Sequence, residues 1–382
     1  MSHIFRSLLP GLSLTLALAL PSPIMAMNIE TSVGIGYDSN AFRSPDQPYT
    51  DYSVLLAPPA VTPQVQSGMY LPLEFKAASS NKTGLKASYD FSGDIYLNGL
   101  SNANSYTHEF RLANELTLSG SGSRRNTLDF GATLRRFSRT YYDRDSGLPK
   151  TSANRYSYTA LGADAAYQQR ISRGFQWGLD GEVEARLYDA VPTGSKYDYN
   201  IYKIGTYAEF RVLDPTRLRF DLDYTINDYA QFKARNLVDG QLSTTPRQDL
   251  FVTLQTTLRQ RLGKDWTLFL DHRLRTRDDG FEGYDNYTAQ RGRVRLLFSG
   301  DALKVRLSAD QEVRSYDNAF AFNNVAQAPL DYTASNASLS TEYAVSKTWA
   351  LWAEVDWRNV DTNDIRYAYA RTQTLVGVRA EF

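Results

Sequence analysis

Arginine recurs at alternate positions through the C-terminal half of the chain: Arg259 and Arg261, then Arg273, Arg275 and Arg277, then Arg291, Arg293 and Arg295, with Lys304, Arg306 and Arg314 after them. Guanidinium groups in such rows bind carboxylates and phosphates through paired N–H donors. Acids recur in the same manner earlier, at Asp180, Glu182 and Glu184 and again at Asp221 and Asp223, the second group beside Arg217 and Arg219. A spacing of two puts side chains on one face of a β-strand. The pattern therefore predicts a basic wall and an acidic wall on neighbouring strands. Tyr96, Tyr156, Tyr158, Tyr207, Phe251 and Phe269 share that parity and offer aromatic faces, which stack on sugar rings.

Catalytic chemistry has little support. After the N-terminal segment only His108 and His272 remain, and both fall on the opposite, apolar parity, out of reach of a nucleophile in need of a general base. Glu182 and Glu184 stand about 7 Å apart on one strand; balancing the arginines is the plainer role for them than glycosidase chemistry. The chain reads as no enzyme. Asp143, Asp145 and Gly147 resemble the start of a calcium loop without its remaining ligands. Asp278, Asp279, Glu282 and Asp285 form an acidic loop, for which solvated charge is the simpler reading than divalent ions. Gly34 and Gly36 lack the third glycine and the helix of a dinucleotide site, and read as small inward positions of a first strand. No metal and no cofactor is expected.

The elements that position these residues are alternating strands. Leu85, Ala87, Tyr89, Phe91, Ile95 and Leu97 share one parity, as do Phe175, Trp177, Leu179, Val183, Ala185 and Leu187, then Leu218, Phe220, Leu222, Tyr224 and Ile226, and Leu250, Val252, Leu254 and Leu258. The final segment alternates up to the terminal Phe382. Many segments exceed the ~9–11 residues that cross a bilayer at a tilt, whereas soluble strands are mostly ~5–6. Connections alternate between short ones, such as 214–215 and 263–264, and long ones, such as 140–151, 231–245 and 317–329. That rhythm predicts an all-β fold: a transmembrane antiparallel up-and-down β-barrel of about sixteen strands. Pro58, Pro59, Pro63 and Pro72 cannot donate to a ladder. The stretch from Val54 to Gln66 is accordingly expected to fold into the lumen or over the mouth before a strand from Gly68 to Ala77, with an extra hairpin and eighteen strands as the alternative.

Arg6, the apolar run from Leu8 to Leu20 and small Ala26 read as a cleaved signal peptide over 1–26, exported through the Sec pathway, with a barrel over 27–382. Cysteine is absent, which removes disulfides and thiolate metal sites. The 42 basic residues balance the 42 acidic ones and give no reason to expect nucleic acid. Trp177, Trp266 and Trp349 each follow a short turn, where interfacial aromatics gather.

The run Gly36, Tyr37, Asp38, Ser39, Asn40, Ala41, Phe42 and Arg43 after a first strand resembles the opening of outer-membrane porins of the beta-barrel porin 2 type, associated with exopolysaccharide loci. The closing strand has Ala380 where an aromatic is frequent in such barrels. The resemblance implies a Gram-negative outer-membrane location among lipids and lipopolysaccharide, insertion by the barrel assembly machinery, and periplasmic polysaccharide-export components as partners. If the apolar parity meets lipid, the charged parity lines water. The chain then reads as a channel with an arginine-rich lumen for a polysaccharide or another anionic or polar solute. A general diffusion porin and a non-conducting structural or adhesin barrel, its charges paired across strands at about 0.2–1 kcal/mol per pair, are the alternatives.

Overall fold

The computed structural model describes residues 26–52, 57–81, 84–121, 124–140, 142–148, 157–189, 197–321 and 328–382. The expected signal peptide up to residue 25, Val54 to Leu56 at the start of the expected fold-in stretch, and Tyr156, lie outside them. Alternation of apolar and polar residues produces long strands: β1 (Ala26–Asp38), β4 (Gly68–Ser80), β5 (Leu85–Tyr96), β6 (Ser105–Ser121), β7 (Arg124–Arg139), β8 (Tyr158–Arg170), β9 (Phe175–Tyr188), β10 (Tyr199–Leu213) and β11 (Thr216–Arg235). They continue with β12 (Leu242–Leu262), β13 (Trp266–Asp278), β14 (Tyr287–Ser299), β15 (Leu303–Phe320), β16 (Pro329–Ala344), β17 (Trp349–Thr362) and β18 (Tyr369–Glu381). Two two-residue strands, β2 (Tyr49–Thr50) and β3 (Ala60–Val61), pair only with each other.

Every long strand is antiparallel to its sequence neighbours, and β1 pairs with β18 on one side and β4 on the other, so the sheet closes on itself as a sixteen-stranded up-and-down barrel. Closure leaves no edge with unpaired backbone groups. The proline-rich stretch adds no barrel strand, and the count is sixteen. Between β1 and β4 the described residues 39–52 and 57–67 lie outside the barrel sheet and carry the β2–β3 hairpin, and the next barrel strand starts at Gly68 as expected. One expectation is corrected. Residues 231–245 are not a long loop: β11 and β12 extend to Arg235 and from Leu242, with register shifts that admit Pro246 opposite Lys233. Beyond Asp228 the apolar alternation fades, but ladder hydrogen bonds hold the hairpin without it.

Cross-strand register keeps like with like. Leu222 faces Leu254, and Leu254 faces Leu274; on the other parity Asp271 faces Arg293, Arg293 faces Asp310, and Asp310 faces Asn336. Because side chains alternate with a period of two, this register puts an apolar band on one face of the closed sheet and a charged band on the other.

Candidate functional site

Burial tells which face is inside. On a closed cylinder, side chains crowd on the concave surface and splay on the convex one. Apolar Leu222, Leu254 and Val376 are 48%, 45% and 56% exposed, whereas Glu184, Asp249 and Tyr287 on the charged parity are 6%, 3% and 7% exposed. Charged side chains also meet across an intervening strand. Arg111 of β6 grips both oxygens of Asp164 of β8 (2.6 and 2.8 Å) by passing over Gly131 of β7, where a Cβ would lie 2.6 Å from the guanidinium. Lys203 holds Asp180 (3.5 Å) and Asp223 (3.1 Å) on either side of Gly205. Arg273 of β13 likewise reaches Glu312 of β15 at 2.5 Å.

Most of the charge expected from the sequence is paired within the wall. Arg217 pairs with Glu209 (2.8 Å), Arg219 with Asp221 (2.6 Å), Arg277 with Asp249 (2.9 Å), Arg291 with Asp310 (2.8 Å), Arg295 with Asp271 (3.0 Å) and Arg314 with Glu312 (2.7 Å). Glu184 lies between Arg186 (2.5 Å) and Arg135 (3.4 Å). The two walls are therefore less segregated than the i, i+2 runs suggest. Asp249, Asp271, Asp310 and Glu312 sit among the arginines, and Lys203, Arg135 and Arg186 sit among the acids; isolated members of alternating strands give no run to detect. Among the described residues Arg259, Arg261, Arg275, Arg293 and Arg306 have no carboxylate within ion-pair distance. The β12–β15 face thus keeps a positive excess, and Glu182 has no cation at that distance on its own wall.

The aromatics of this parity are themselves covered by cations. Arg219 lies 3.8 Å from the Tyr207 ring, Arg275 4.7 Å from Phe251, Arg295 4.7 Å from Phe269 and Arg186 5.3 Å from Tyr158. Tyr96 stacks on Tyr70 (5.1 Å). These faces hold guanidinium groups in place. An aromatic the i, i+2 reading missed is Trp352, whose ring lies against Gly34 and Gly377, paired residues of β1 and β18; Gly36 makes room for Tyr70. On the convex parity, Trp266 and Trp349 are exposed beside Phe298 and Phe382, and Trp177 donates to Gln169 at 2.9 Å, all at the short-turn end. His108 lies on that same outward parity, its Nδ1 2.9 Å from the Tyr89 hydroxyl.

At the long-loop end, residues 39–52 and 57–66 reach across part of the mouth. Phe42 is buried against Tyr142, and Gln64 and Gln66 donate to the carbonyls of Asp145 and Ser146 (2.6 and 2.9 Å). Tyr49 donates to Asp145 at 3.0 Å; burial and that carboxylate push its hydroxyl pKa well above the ordinary value, so it stays a donor. Asp51 pairs with Arg366 (3.3 Å) on the β17–β18 connection. The footing is Asp38, fully buried, which accepts from Tyr96 (2.5 Å) and from both Nε and Nη2 of Arg371. Asp143 and Asp145 serve this packing: Asp143 accepts from Ser146 at 3.0 Å. The acidic loop is organised in the same way rather than solvated throughout. Asp279 is buried and accepts the backbone N–H groups of Phe281, Gly283 and Asp285, while Asp285 pairs with Arg247 (3.1 Å).

No protein-family model matches the chain, and no curated protein matches it. Solved structures to which it is similar include an anion-selective porin from Comamonas acidovorans, at 13% identity over 94% of this chain and 99% of that one, TM-score 0.44. OprB from Pseudomonas putida aligns at 11% identity over 94% of each chain, TM-score 0.47. A bacterial polysaccharide outer membrane secretin aligns at 9% identity over 93% of this chain and 97% of that one, TM-score 0.45.

Proposed function

We infer that this chain is an outer-membrane channel whose lumen passes an anionic or polar solute, with export of an acidic polysaccharide as the favoured role and no enzymatic activity. Sixteen strands make a barrel wide enough for an aqueous passage. The convex apolar band suits hydrocarbon, with Trp177, Trp266 and Trp349 as anchors at one interface. The observation that carries the reading is the β12–β15 face, where guanidinium groups outnumber the carboxylates that could neutralise them. Such a wall attracts carboxylate-bearing solutes and repels cations. Partial coverage of the mouth by residues 39–52 and 57–66 favours a controlled passage over a freely open pore. The opening octet that resembles beta-barrel porin 2 sequences supports the exopolysaccharide association, with periplasmic export components as partners.

The test is current through purified protein in planar bilayers under a KCl gradient, with and without an oligogalacturonate. Anion-selective current blocked by the acidic oligosaccharide supports the reading. Current without block identifies a general diffusion porin, and absence of current identifies a structural barrel.

A further inference from the structure

The register of β14 to β18 builds a depression in the inner wall. One row runs Arg293, Asp310, Asn336, Arg358, Arg371, and the row beside it runs Arg295, Ser308, Ser338, Asp356, Gln373. The short serines form a floor with taller side chains on both banks, and the result is a half-enclosed cavity of about 280 Å³ lined by Arg293, Ser308, Asn336, Asp356 and Arg358 among others. That is just below the ~300 Å³ at which sites for drug-sized ligands begin, a space for one sugar unit.

The charges around it are unevenly satisfied. Asp310 is held by Arg291 through two bonds (3.0 and 2.8 Å) and by Asn336 (2.9 Å). Asp271 is held by Arg295, and Asp38 by Arg371. Arg293 is left with one bond, to the Ser308 hydroxyl at 3.2 Å, and Arg358 with the Tyr369 ring at 6.0 Å. These two cations stand three strands apart, about 14 Å between backbones, and border the same cavity. Asp356 has no cation within ion-pair distance among the described residues and borders it too.

We propose that this cavity is a subsite for a carboxylated sugar unit, a uronate residue of an anionic glycan, with its carboxylate between Arg293 and Arg358 and its hydroxyls donating to Asp356. Two guanidinium groups against one carboxylate match a monoanion that carries hydroxyl donors. A phosphate dianion would bring a second negative charge up to Asp356 with a single hydroxyl to offer it, and a neutral sugar would leave both cations unanswered. The proposal rests on the channel reading, because the cavity opens to the passage.

The experiment is calorimetric titration of the detergent-folded protein with tri-galacturonate, which needs no current. The expected result is saturable binding, weakened at least tenfold in the Arg293→Ser, Arg358→Ser double variant. It should stay within twofold in Lys86→Ser, Arg125→Ser, which removes the same charge at the short-turn end of β5 and β7. Maltotriose and inorganic phosphate should each bind at least tenfold more weakly. Binding unchanged in the first double variant, while heat-modifiable migration shows it folded, overturns the subsite, as does equal affinity for maltotriose or phosphate or no binding by the unsubstituted protein. Planar-bilayer current is read separately: its absence overturns the channel reading without altering the calorimetric result, and current with unchanged calorimetry overturns the subsite alone.

Discussion

Substituting arginine for Leu222 places a charge on the convex band, and the cost follows from its depth. Leu222 lies six residues into β11 from the short-turn end at Thr216. At ~3.4 Å per residue and a tilt near 45° it sits about 14 Å above that end, close to the middle of an apolar band about 25 Å tall. Its neighbours in the row are Thr206, Leu254 and Leu274, none of which can pair with a guanidinium. A lipid-facing arginine at mid-membrane costs about 2–4 kcal/mol, roughly a thirty- to several-hundred-fold loss in the folding equilibrium. Leu218, two residues into the same strand and on the same face, lies about 5 Å from the end, where the cost falls to about 0–1 kcal/mol. Equilibrium unfolding in urea with lipid vesicles, followed by the fluorescence of the five tryptophans, measures both variants. Leu222→Arg should be the less stable by at least about 1 kcal/mol. Equal stabilities, or a Leu222→Arg protein as stable as the unsubstituted one, would refute the assignment of this face to hydrocarbon.

Serine at Arg273, Arg275, Arg293 and Arg295 together should move the reversal potential in a KCl gradient toward cation selectivity, because the change removes two unpaired cations and also frees the Asp271 carboxylate from Arg295; an unmoved potential would mean this wall does not face the current. Arg371→Ser strips the guanidinium from fully buried Asp38 and should destabilise the barrel by about 3–5 kcal/mol, seen as a lower urea midpoint together with faster protease cleavage within residues 39–66. Burial raises the Asp285 pKa above its ordinary value against the pull of Arg247 and Arg235. The folded state therefore binds this proton more tightly than the unfolded chain does, so stability is greatest below the unfolded value of about 3.9 and falls as pH rises through the folded value. In Asp285→Asn that component is gone, and the change in unfolding midpoint between about pH 4 and neutrality should become smaller by the amount this carboxyl supplied; an identical pH profile would show that the loop carboxyl is not buried in solution.

Periodicity determined most of the strands and the chemistry of their two faces, because a side-chain period of two admits one assignment once the apolar set is long, as in Leu218 to Ile226; it left the count between sixteen and eighteen, which the pairing of β1 with β4 and β18 settled. Pro58, Pro59 and Pro63 likewise argued against a barrel strand in their own stretch, since a missing N–H is a local fact. The partners of the charges were not legible in the same way. Asp38 meets Arg371 only because β1 closes on β18, 333 residues away in sequence. Arg111 reaches Asp164 only because Gly131 of the strand between them has no side chain. The arginine runs marked a basic wall, yet which of its members remain unpaired depended on Asp271, Asp310 and Glu312, single acids that register set opposite or diagonal to them. Local alternation fixes which face a residue occupies; only closure and register fix its neighbours, because those are set by strands distant in the chain.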